Sequence, residues 1–562
     1  MPDPEVTVHI DGREVQVPRG TLVIEAAKLA GVEIPVFCYH PKLKPVGACR
    51  MCLVDIEKMP RLQTACTTPV AEGMIVHSRN DRARDAQKSV IELLLANHPL
   101  DCPICDKGGE CPLQDNTFKY GLGTSRFYEP KRKLAKALPL SDRIVLDRER
   151  CIMCYRCVRF QDEVAGDQAL SAIDRAGTSQ IGVLEGETFD SPFSGNTIDL
   201  CPVGALLSRQ YRFRARPWDL QRTPSVCVGC AVGCNVELHA RDQVLQRMVP
   251  RENMEVNNEW LCDYGRFDTL PIHQDRVRQP LIDGAVAPWQ EALRTAAKML
   301  RGGSAEVVAS PSLTNEALNA LRAISAGLHA PLTVWPAKTG RVRGSIVDLI
   351  GSKTIILLGF DVWRELPVLA LRIREALKKG AQLYWVGAGE NGLRRDTTAS
   401  YATADALLKA LDGAPAGPVS ILGPGADDLA QRLEAGGMVG EPPTAANGYA
   451  MAELPRANFT ADVLLLAGNE SWPSRTVNRP AVMLRWADPQ LPASSHSQLV
   501  LLPILHPYEQ TGTVTNLEGR VQELRSGGHL AGEARADWAV LAELGRALGI
   551  NPAPEGIQPA LA

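Results

Sequence analysis

No cysteine follows Cys262, so the last 300 of the 562 residues carry none, whereas fifteen lie between Cys38 and Cys262. Buried structural cysteines would be scattered through both halves. This one-sided supply implies a cofactor-bearing N-terminal half and a cofactor-poor C-terminal half. Long apolar runs are also missing. Residues 355–358, 463–467 and 499–505 are strand-length, far short of the roughly 20 residues that a membrane-spanning helix needs. Neither sign of charge dominates: the net charge is −3, which gives no electrostatic case for nucleic acid. The opening Met1-Pro-Asp-Pro-Glu-Val6 has neither a basic n-region nor an apolar h-region, so it is not expected to be a signal peptide. A reducing compartment follows from that reading, and there cysteines bind metal or do chemistry more often than they form disulfides. An odd count also argues against complete pairing within the chain.

What is present is enough hydrophobic residue, 45%, to build sizeable cores, over a length that predicts three or more domains. The cysteines sort into four groups. The first is Cys38, Cys49, Cys52 and Cys66, preceded by alternating Val6-Thr-Val-His-Ile10, an Asp11-Gly12 turn and Val15-Gln-Val17. This is a hairpin signature; a helical stretch over residues 22–30 follows, and together they suggest a small β-grasp domain. Gly47 and Ala48 are placed where backbone amides can approach cluster sulfurs. Plant-type [2Fe–2S] proteins use C-x4-C-x2-C with a distant fourth cysteine; here the first gap is ten residues. The competing reading is a four-cysteine zinc site, disfavoured because zinc usually takes two C-x2-C pairs.

The second group has three cysteines, Cys102, Cys105 and Cys111, whereas a [4Fe–4S] cube normally takes four protein ligands. An amphipathic helix predicted over residues 85–96 ends at Asn97-His98-Pro99, giving H-x3-C-x2-C-x5-C. A lone histidine is usually structural. Beside an incomplete cysteine set, His98 becomes the natural fourth ligand, and Gly108 and Gly109 permit a tight wrap. The third group is Cys151, Cys154 and Cys157, with Cys201-Pro202 as remote partner; a C-x2-C-x2-C triplet is a ferredoxin pattern that zinc does not need. The fourth is Cys227, Cys230, Cys234 and Cys262, with Gly229 and Gly233 in its loop. Four sites need sixteen ligands, and the fifteen cysteines plus His98 supply them with none left over.

In order and spacing these groups resemble the large iron–sulfur subunits of respiratory complex I, the NADH-quinone oxidoreductases, over roughly residues 1–276. Tyr120-Gly-Leu-Gly-Thr-Ser-Arg-Phe127 and Gly195-Asn-Thr-Ile-Asp-Leu-Cys-Pro-Val-Gly204 fit as well. The Cys227–Cys262 spacing resembles the N-terminal motif of molybdopterin oxidoreductases, and Gly512-Thr-Val-Thr-Asn-Leu-Glu-Gly-Arg520 resembles a late motif of that fold. Residues 277–562 alternate strand-like and helical runs, with strands expected at 307–309, 354–358, 383–386, 420–422 and 463–467 and a helix at 369–377. That alternation implies doubly wound parallel sheets.

The fold class expected is therefore α+β cluster domains, a β-grasp [2Fe–2S] ferredoxin-like domain and then helical cluster-binding segments, followed by an α/β molybdopterin-oxidoreductase-like domain. The expected domains are 1–80 ([2Fe–2S]), 81–121 (histidine-plus-cysteine [4Fe–4S]), 122–219 ([4Fe–4S]), 220–276 (molybdopterin-type [4Fe–4S]) and 277–562, a degenerate body for which no molybdopterin is expected.

The resemblance implies one [2Fe–2S] and three [4Fe–4S] clusters relaying single electrons from NADH and flavin in a partner subunit toward quinone. Electrons would enter at the Cys38–Cys66 cluster, pass to the Cys151–Cys201 cluster and leave through the His98–Cys111 cluster or the next cube, with the Cys227–Cys262 cluster off this route. It implies no complete active site on this chain. It also implies partners in the peripheral arm: a flavin and NADH-binding subunit, a ferredoxin-like iron–sulfur subunit and quinone-site subunits. Placement would be peripheral, on the cytoplasmic side of the inner membrane, with no span of its own. Competing readings weigh less. An iron-only hydrogenase would need paired ferredoxin runs and further cysteines; a catalytic formate dehydrogenase would need a longer body. The diaphorase part of a nickel–iron hydrogenase lacks the Cys227–Cys262 set. Ile421-Leu-Gly-Pro-Gly-Ala-Asp-Asp428 looks like a dinucleotide fingerprint, but Asp428 occupies the third glycine position, and a plain βα turn is the reading preferred. The arginine-rich stretches 126–150 and 209–222 are read as ordinary solvated or subunit-facing charge.

Overall fold

The computed structural model describes residues 4–270, 272, 274–336, 339–389, 391–411, 415, 417–473, 479–487, 498–529 and 532–551. Residues 1–3, used in the signal-peptide reading, and 552–562, at the end of the expected last domain, lie outside the described residues. The chain divides into two compact units, Met1–Leu220 and Gln221–Ala562.

The first unit opens with strands Glu5–Ile10 and Arg13–Pro18, paired antiparallel. Their turn places Asp11 at φ 47° and Gly12 at φ 79°, the left-handed pair that a two-residue type I′ hairpin requires. Strand Glu5–Ile10 then pairs in parallel with Met74–His77, which continues to Leu53–Ile56 and Gln63–Thr64, completing a five-stranded mixed sheet. Helix Val23–Leu29 lays Val23, Ile24, Ala26 and Ala27 into the core formed by Val8, Ile10, Val17, Val54 and Val76. Cys52 and Cys66 belong to that core. Two of the first group's thiols are thus fixed by sheet packing, one just before Leu53–Ile56 and one just after Gln63–Thr64.

Helix Asp81–Asn97 begins four residues earlier than its apolar periodicity suggests, because Asn80 caps it: the Asn80 side chain accepts the Ala83 N–H at 3.0 Å. Removing such a cap costs about 1 kcal/mol. The helix stops at His98, whose backbone is extended (φ −63°, ψ 128°), as a residue before proline prefers. Lys131 donates to the Leu95 and Ala96 carbonyls at 2.6 and 3.1 Å, closing the last turn. Short helices then abut the cysteines: Pro112–Tyr120 follows Cys111, Arg156–Phe160 contains Cys157, and Asn196–Leu200 ends at Cys201.

The second unit begins with an antiparallel meander, Gln221–Val226, Asn235–Arg241 and Val244–Pro250. Two larger sheets follow. One has seven strands, five of them consecutive and parallel (Leu499–Pro503, Ala481–Arg485, Val463–Ala467, Ala305–Ala309 and the edge strand Leu332–Val334). The other runs Arg341–Arg343, Val439–Glu441, Val419–Leu422, Thr354–Leu358, Gln382–Val386, Ala399–Tyr401, parallel except at its first pair. Strands such as Thr354–Leu358 and Val463–Ala467 are buried at every position, as strands covered on both faces must be. Each fully buried Val, Leu or Ile contributes roughly 1.5–3 kcal/mol.

Candidate metal centres

The first group closes around the end of the five-stranded sheet. Cys38 N–H points at the Cys49 sulfur (3.4 Å) and Cys49 N–H at the Cys38 sulfur (3.5 Å), so each thiol faces the other's amide. Bonding to Cys38, then burial, lifts the Cys49 thiol far above its ordinary range. A hydrogen bond with Cys66 lowers the Cys52 thiol. For Cys66 itself the Cys38 bond pulls down, but Cys52 and burial carry it up to about 12. Four thiols this close ionise together only if a cation joins them, and the thiolate is the ligating form.

In the second group His98, Cys102, Cys105 and Cys111 line one cavity of about 200 Å³, together with Arg150 and Gly204. His98 Nδ1 is buried without a hydrogen-bond partner. Burial first, then the charges of Arg150 and Lys131, hold its imidazole down to about 4, so it is neutral at neutral pH and has a free lone pair to offer. A Cβ on Gly204 would lie 2.1 Å from the Cys105 sulfur; only glycine lets that backbone approach. Arg150, buried, is held by Asp101 (3.0 Å) and Asp147 (3.3 Å) and donates to the Gly204 carbonyl at 3.3 Å. Arg216 donates to the Cys105 carbonyl at 2.6 Å and to the Pro103 carbonyl. Arg216 and Lys131, from stretches read as ordinary surface charge, therefore brace the loop and helix end that present these ligands.

The third group wraps tightly because Met153 and Tyr155 both take left-handed backbone (φ 51° and 60°) on either side of Cys154, a conformation kept where a site demands it. Burial raises Cys151 to about 11; burial and the nearby Cys201 sulfur raise Cys154 to about 12. Cys157 is pushed well above its ordinary range by burial and by Cys154, Cys201 and Cys151, so the remote Cys201 sulfur lies near the triplet. The second and third groups touch: the Cys111 thiol donates to the carbonyl of Pro202, beside Cys201, at 3.7 Å.

Cys227, Cys230 and Cys234 of the fourth group sit in the connection between strands Gln221–Val226 and Asn235–Arg241, closed by Cys227 N–H to the Cys234 carbonyl at 2.8 Å, and Cys262 follows strand Val244–Pro250. Gly229 N–H reaches the Cys227 sulfur and Gly265 N–H the Cys262 sulfur, each at 3.4 Å. A Cβ on Gly265 would meet the Cys227 sulfur at 2.8 Å. Burial raises all four thiols, Cys230 to about 12. Tyr508, fully buried, has its hydroxyl 3.8 Å from the Cys227 sulfur and 3.1 Å from Thr269 Oγ1. Tyr508 stands 281 residues beyond Cys227, and no sequence spacing signals it. A Cβ on Gly229 would meet Tyr264 and Thr269, and one on Gly233 would meet Gln522.

Among the described residues, no group of three or more His, Cys, Asp or Glu side chains is arranged to hold a single metal ion. An iron–sulfur cluster spreads its protein ligands over two or four irons. Suppressed ionisation in every set, amide N–H groups aimed at sulfur, an orphaned imidazole nitrogen and glycine-lined approaches all fit that larger cationic body. The stretch 421–428 is a βα turn between strand Val419–Leu422 and helix Ala426–Leu433. Its Gly423 packs on the Leu358 carbonyl, where a Cβ would lie at 2.2 Å. Among the described residues no helix is long and apolar enough to cross a membrane.

Family models match along the chain: a 2Fe-2S iron-sulfur cluster binding domain over residues 3–81 and an NADH-ubiquinone oxidoreductase-G iron-sulfur binding region over 87–126. Further matches are the ferredoxin-like domain of NADH-quinone oxidoreductase subunit 3 over 141–207 and an NADH-ubiquinone oxidoreductase 4Fe-4S domain over 220–269. The molybdopterin oxidoreductase model matches 497–547. The sequence thus carries a 2Fe-2S ferredoxin-like domain, 4Fe-4S regions and a molybdopterin-oxidoreductase segment within a mixed α/β structure. The G-type subunit of NADH-quinone oxidoreductase from Streptomyces coelicolor is 42% identical over 68% of this chain and 50% of its own length. The chain therefore spans about half of that relative. The mitochondrial NADH-ubiquinone oxidoreductase 78 kDa subunit of Candida albicans is 35% identical over 96% of this chain and 82% of its own. A chain of an NAD+-reducing [NiFe]-hydrogenase in the H2-reduced state is 30% identical, covering 37% of this chain and 90% of that one, at a TM-score of 0.34. With a relative matched over nearly the whole chain, this protein belongs to the family of G-type NADH-quinone oxidoreductase subunits and their mitochondrial 78 kDa counterparts.

Proposed function

We propose that the chain is a peripheral electron-transfer subunit of an NADH:quinone oxidoreductase. It would carry one [2Fe–2S] cluster on Cys38, Cys49, Cys52 and Cys66, and [4Fe–4S] clusters on three further sets. Those sets are His98 with Cys102, Cys105 and Cys111; Cys151, Cys154, Cys157 and Cys201; and Cys227, Cys230, Cys234 and Cys262. The observation that carries this is the complete partition: fifteen cysteines and one histidine fall into four groups with no thiol left over. The domain limits set out above from the sequence are part of the same proposal.

When bound, such clusters supply one-electron oxidation and reduction at potentials set by ligand type, hydrogen bonds to sulfur, charge and burial. The chain's residues control each of those. Neutral His98 in place of a thiolate removes one negative charge from its set. The amides of Gly229 and Gly265 stabilise electron-rich sulfur, and burial of Cys154, Cys157, Cys234 and Cys262 keeps water away. Partners of this reading are a flavin and NADH-binding subunit, a ferredoxin-like iron–sulfur subunit and quinone-site subunits, with the chain peripheral on the cytoplasmic side of the membrane.

Anaerobic iron and sulfide analysis of the purified full chain, with EPR of the dithionite-reduced sample, tests it. About 14 irons per chain are expected, with one [2Fe–2S] signal among cubic ones. A colourless protein with stoichiometric zinc overturns the proposal; molybdenum or tungsten would turn it toward a catalytic oxidoreductase.

A further inference from the structure

Arg156 lies inside the third group, between Cys154 and Cys157, yet its guanidinium reaches the first group as well. Its Nη2 donates to the carbonyl of Tyr39, the residue after Cys38, and its Nη1 to the carbonyl of Leu200, the residue before Cys201, at 3.4 Å. One side chain thus ties together a cysteine loop from each of two sets. Arg159, three residues on, donates to the carbonyls of Cys38 and Lys44, and Glu163 accepts the Lys44 N–H at 2.7 Å. The helix that carries Cys157 and the turn that follows it are therefore tied to the Cys38 loop at three places.

The charge accounting points the same way. Arg156 is half-buried; Arg150 is buried, but Asp101 and Asp147 neutralise it. Among the described residues no carboxylate pairs with Arg156, and its Nε is buried without a partner. A desolvated cation without a counter-ion is expensive. The candidate ligands around it belong to both sets: Cys154 and Cys157 flank it in the chain, and its guanidinium sits on the carbonyls next to Cys38 and Cys201. Thiolate-ligated clusters would complete that pairing. A planar fork with two donors in fixed geometry spans two carbonyls, which a lysine ammonium on a flexible stem cannot hold in the same way.

We propose that Arg156 is a positioning residue shared by two cluster sites: its guanidinium fixes the Cys38 loop to the Cys201 loop and supplies one positive charge that raises the reduction potentials of both sites together. This rests on the cluster reading above.

The test is a redox titration of the anaerobically purified full chain followed by EPR, comparing wild type with Arg156→Gln and Arg156→Lys, the cubic signals being assigned by a Cys154→Ser variant. A wild type without clusters defeats the cluster reading itself. With clusters present, Arg156→Gln is expected to move the [2Fe–2S] signal and the Cys151–Cys201 signal together to lower potential. The His98–Cys111 and Cys227–Cys262 signals should stay in place. Arg156→Lys should restore both potentials most of the way while altering the spin coupling between the two centres. Movement of neither signal, or of only one, overturns the proposal. If Arg156→Gln fails to retain its clusters, Arg156→Lys decides: changed coupling supports the shared link, and wild-type coupling overturns it.

Discussion

His98 shows how much one side chain can decide. Three thiols and one neutral imidazole line its cavity, and a thiolate in the histidine's place would add a negative charge beside the same cluster. Charge at the ligands is one of the levers that set cluster potential. His98→Cys is therefore expected to keep about four irons at that site but to move its EPR signal to lower potential, whereas His98→Ala should lose or convert that one cube and leave the other signals unchanged. A His98→Ala chain with an unaltered set of signals would remove His98 from the ligand set. The candidate ligand sets are legible in the sequence, because a C-x2-C or H-x3-C pattern is local. Their supports were not. Gly204 against Cys105, Arg216 on the Cys105 carbonyl and Tyr508 beside Cys227 act across 99, 111 and 281 residues, and nothing local marks them.

Among the elements, helix Asp537–Ala547 starts on a fully buried carboxylate. Asp537 accepts the Thr314 N–H (3.0 Å), the Thr314 hydroxyl (2.9 Å) and the Trp538 N–H (2.7 Å). Burial outweighs these donors and raises its pKa from 3.8 to about 6. The folded state therefore holds a proton between about pH 4 and pH 6 that the unfolded chain has released. Unfolding free energy contributed by this group is fully present below about pH 4 and is lost as pH rises through about 6. At about 1.4 kcal/mol per unit, Asp537→Asn should gain roughly 2–3 kcal/mol relative to wild type between pH 4 and pH 7, read by denaturant titration at each pH. A difference independent of pH would refute this. Strands were the most legible elements. The reading at 354–358 coincides with Thr354–Leu358 and that at 463–467 with Val463–Ala467, because an unbroken apolar run is what burial on both faces demands. Helix starts were less legible: Asp81–Asn97 owes its first turn, residues 81–84, to the Asn80 cap and not to apolar periodicity.

At the scale of the whole molecule, each candidate ligand set is confined to one compact unit. The Cys38, His98 and Cys151 sets lie within Met1–Leu220, the Cys227 set within Gln221–Ala562. In the first unit the sets are mutually dependent: Arg156 joins the Cys38 and Cys201 loops, and Gly204, three residues after Cys201, closes on Cys105 of the His98 set. In the second unit the Cys227 set depends on late segments, since Tyr508 reaches the Cys227 sulfur and Gln522 donates to the Gly233 carbonyl at 2.9 Å. Sequence order suggested an N-terminal cluster half followed by a body without cofactors. Contacts group residues 221–562 into one compact unit that includes the Cys227 set. Separate expression of residues 1–220 and 221–562 under anaerobic conditions should then yield about ten irons in the first piece and about four in the second. The second piece should show a single cubic EPR signal, whereas a piece ending at residue 276 should lose the iron, because Tyr508 and Gln522 are gone. Iron retained by 221–276 alone, or absent from 221–562 while the full chain keeps its complement, would show that the late strands are not what completes the fourth site.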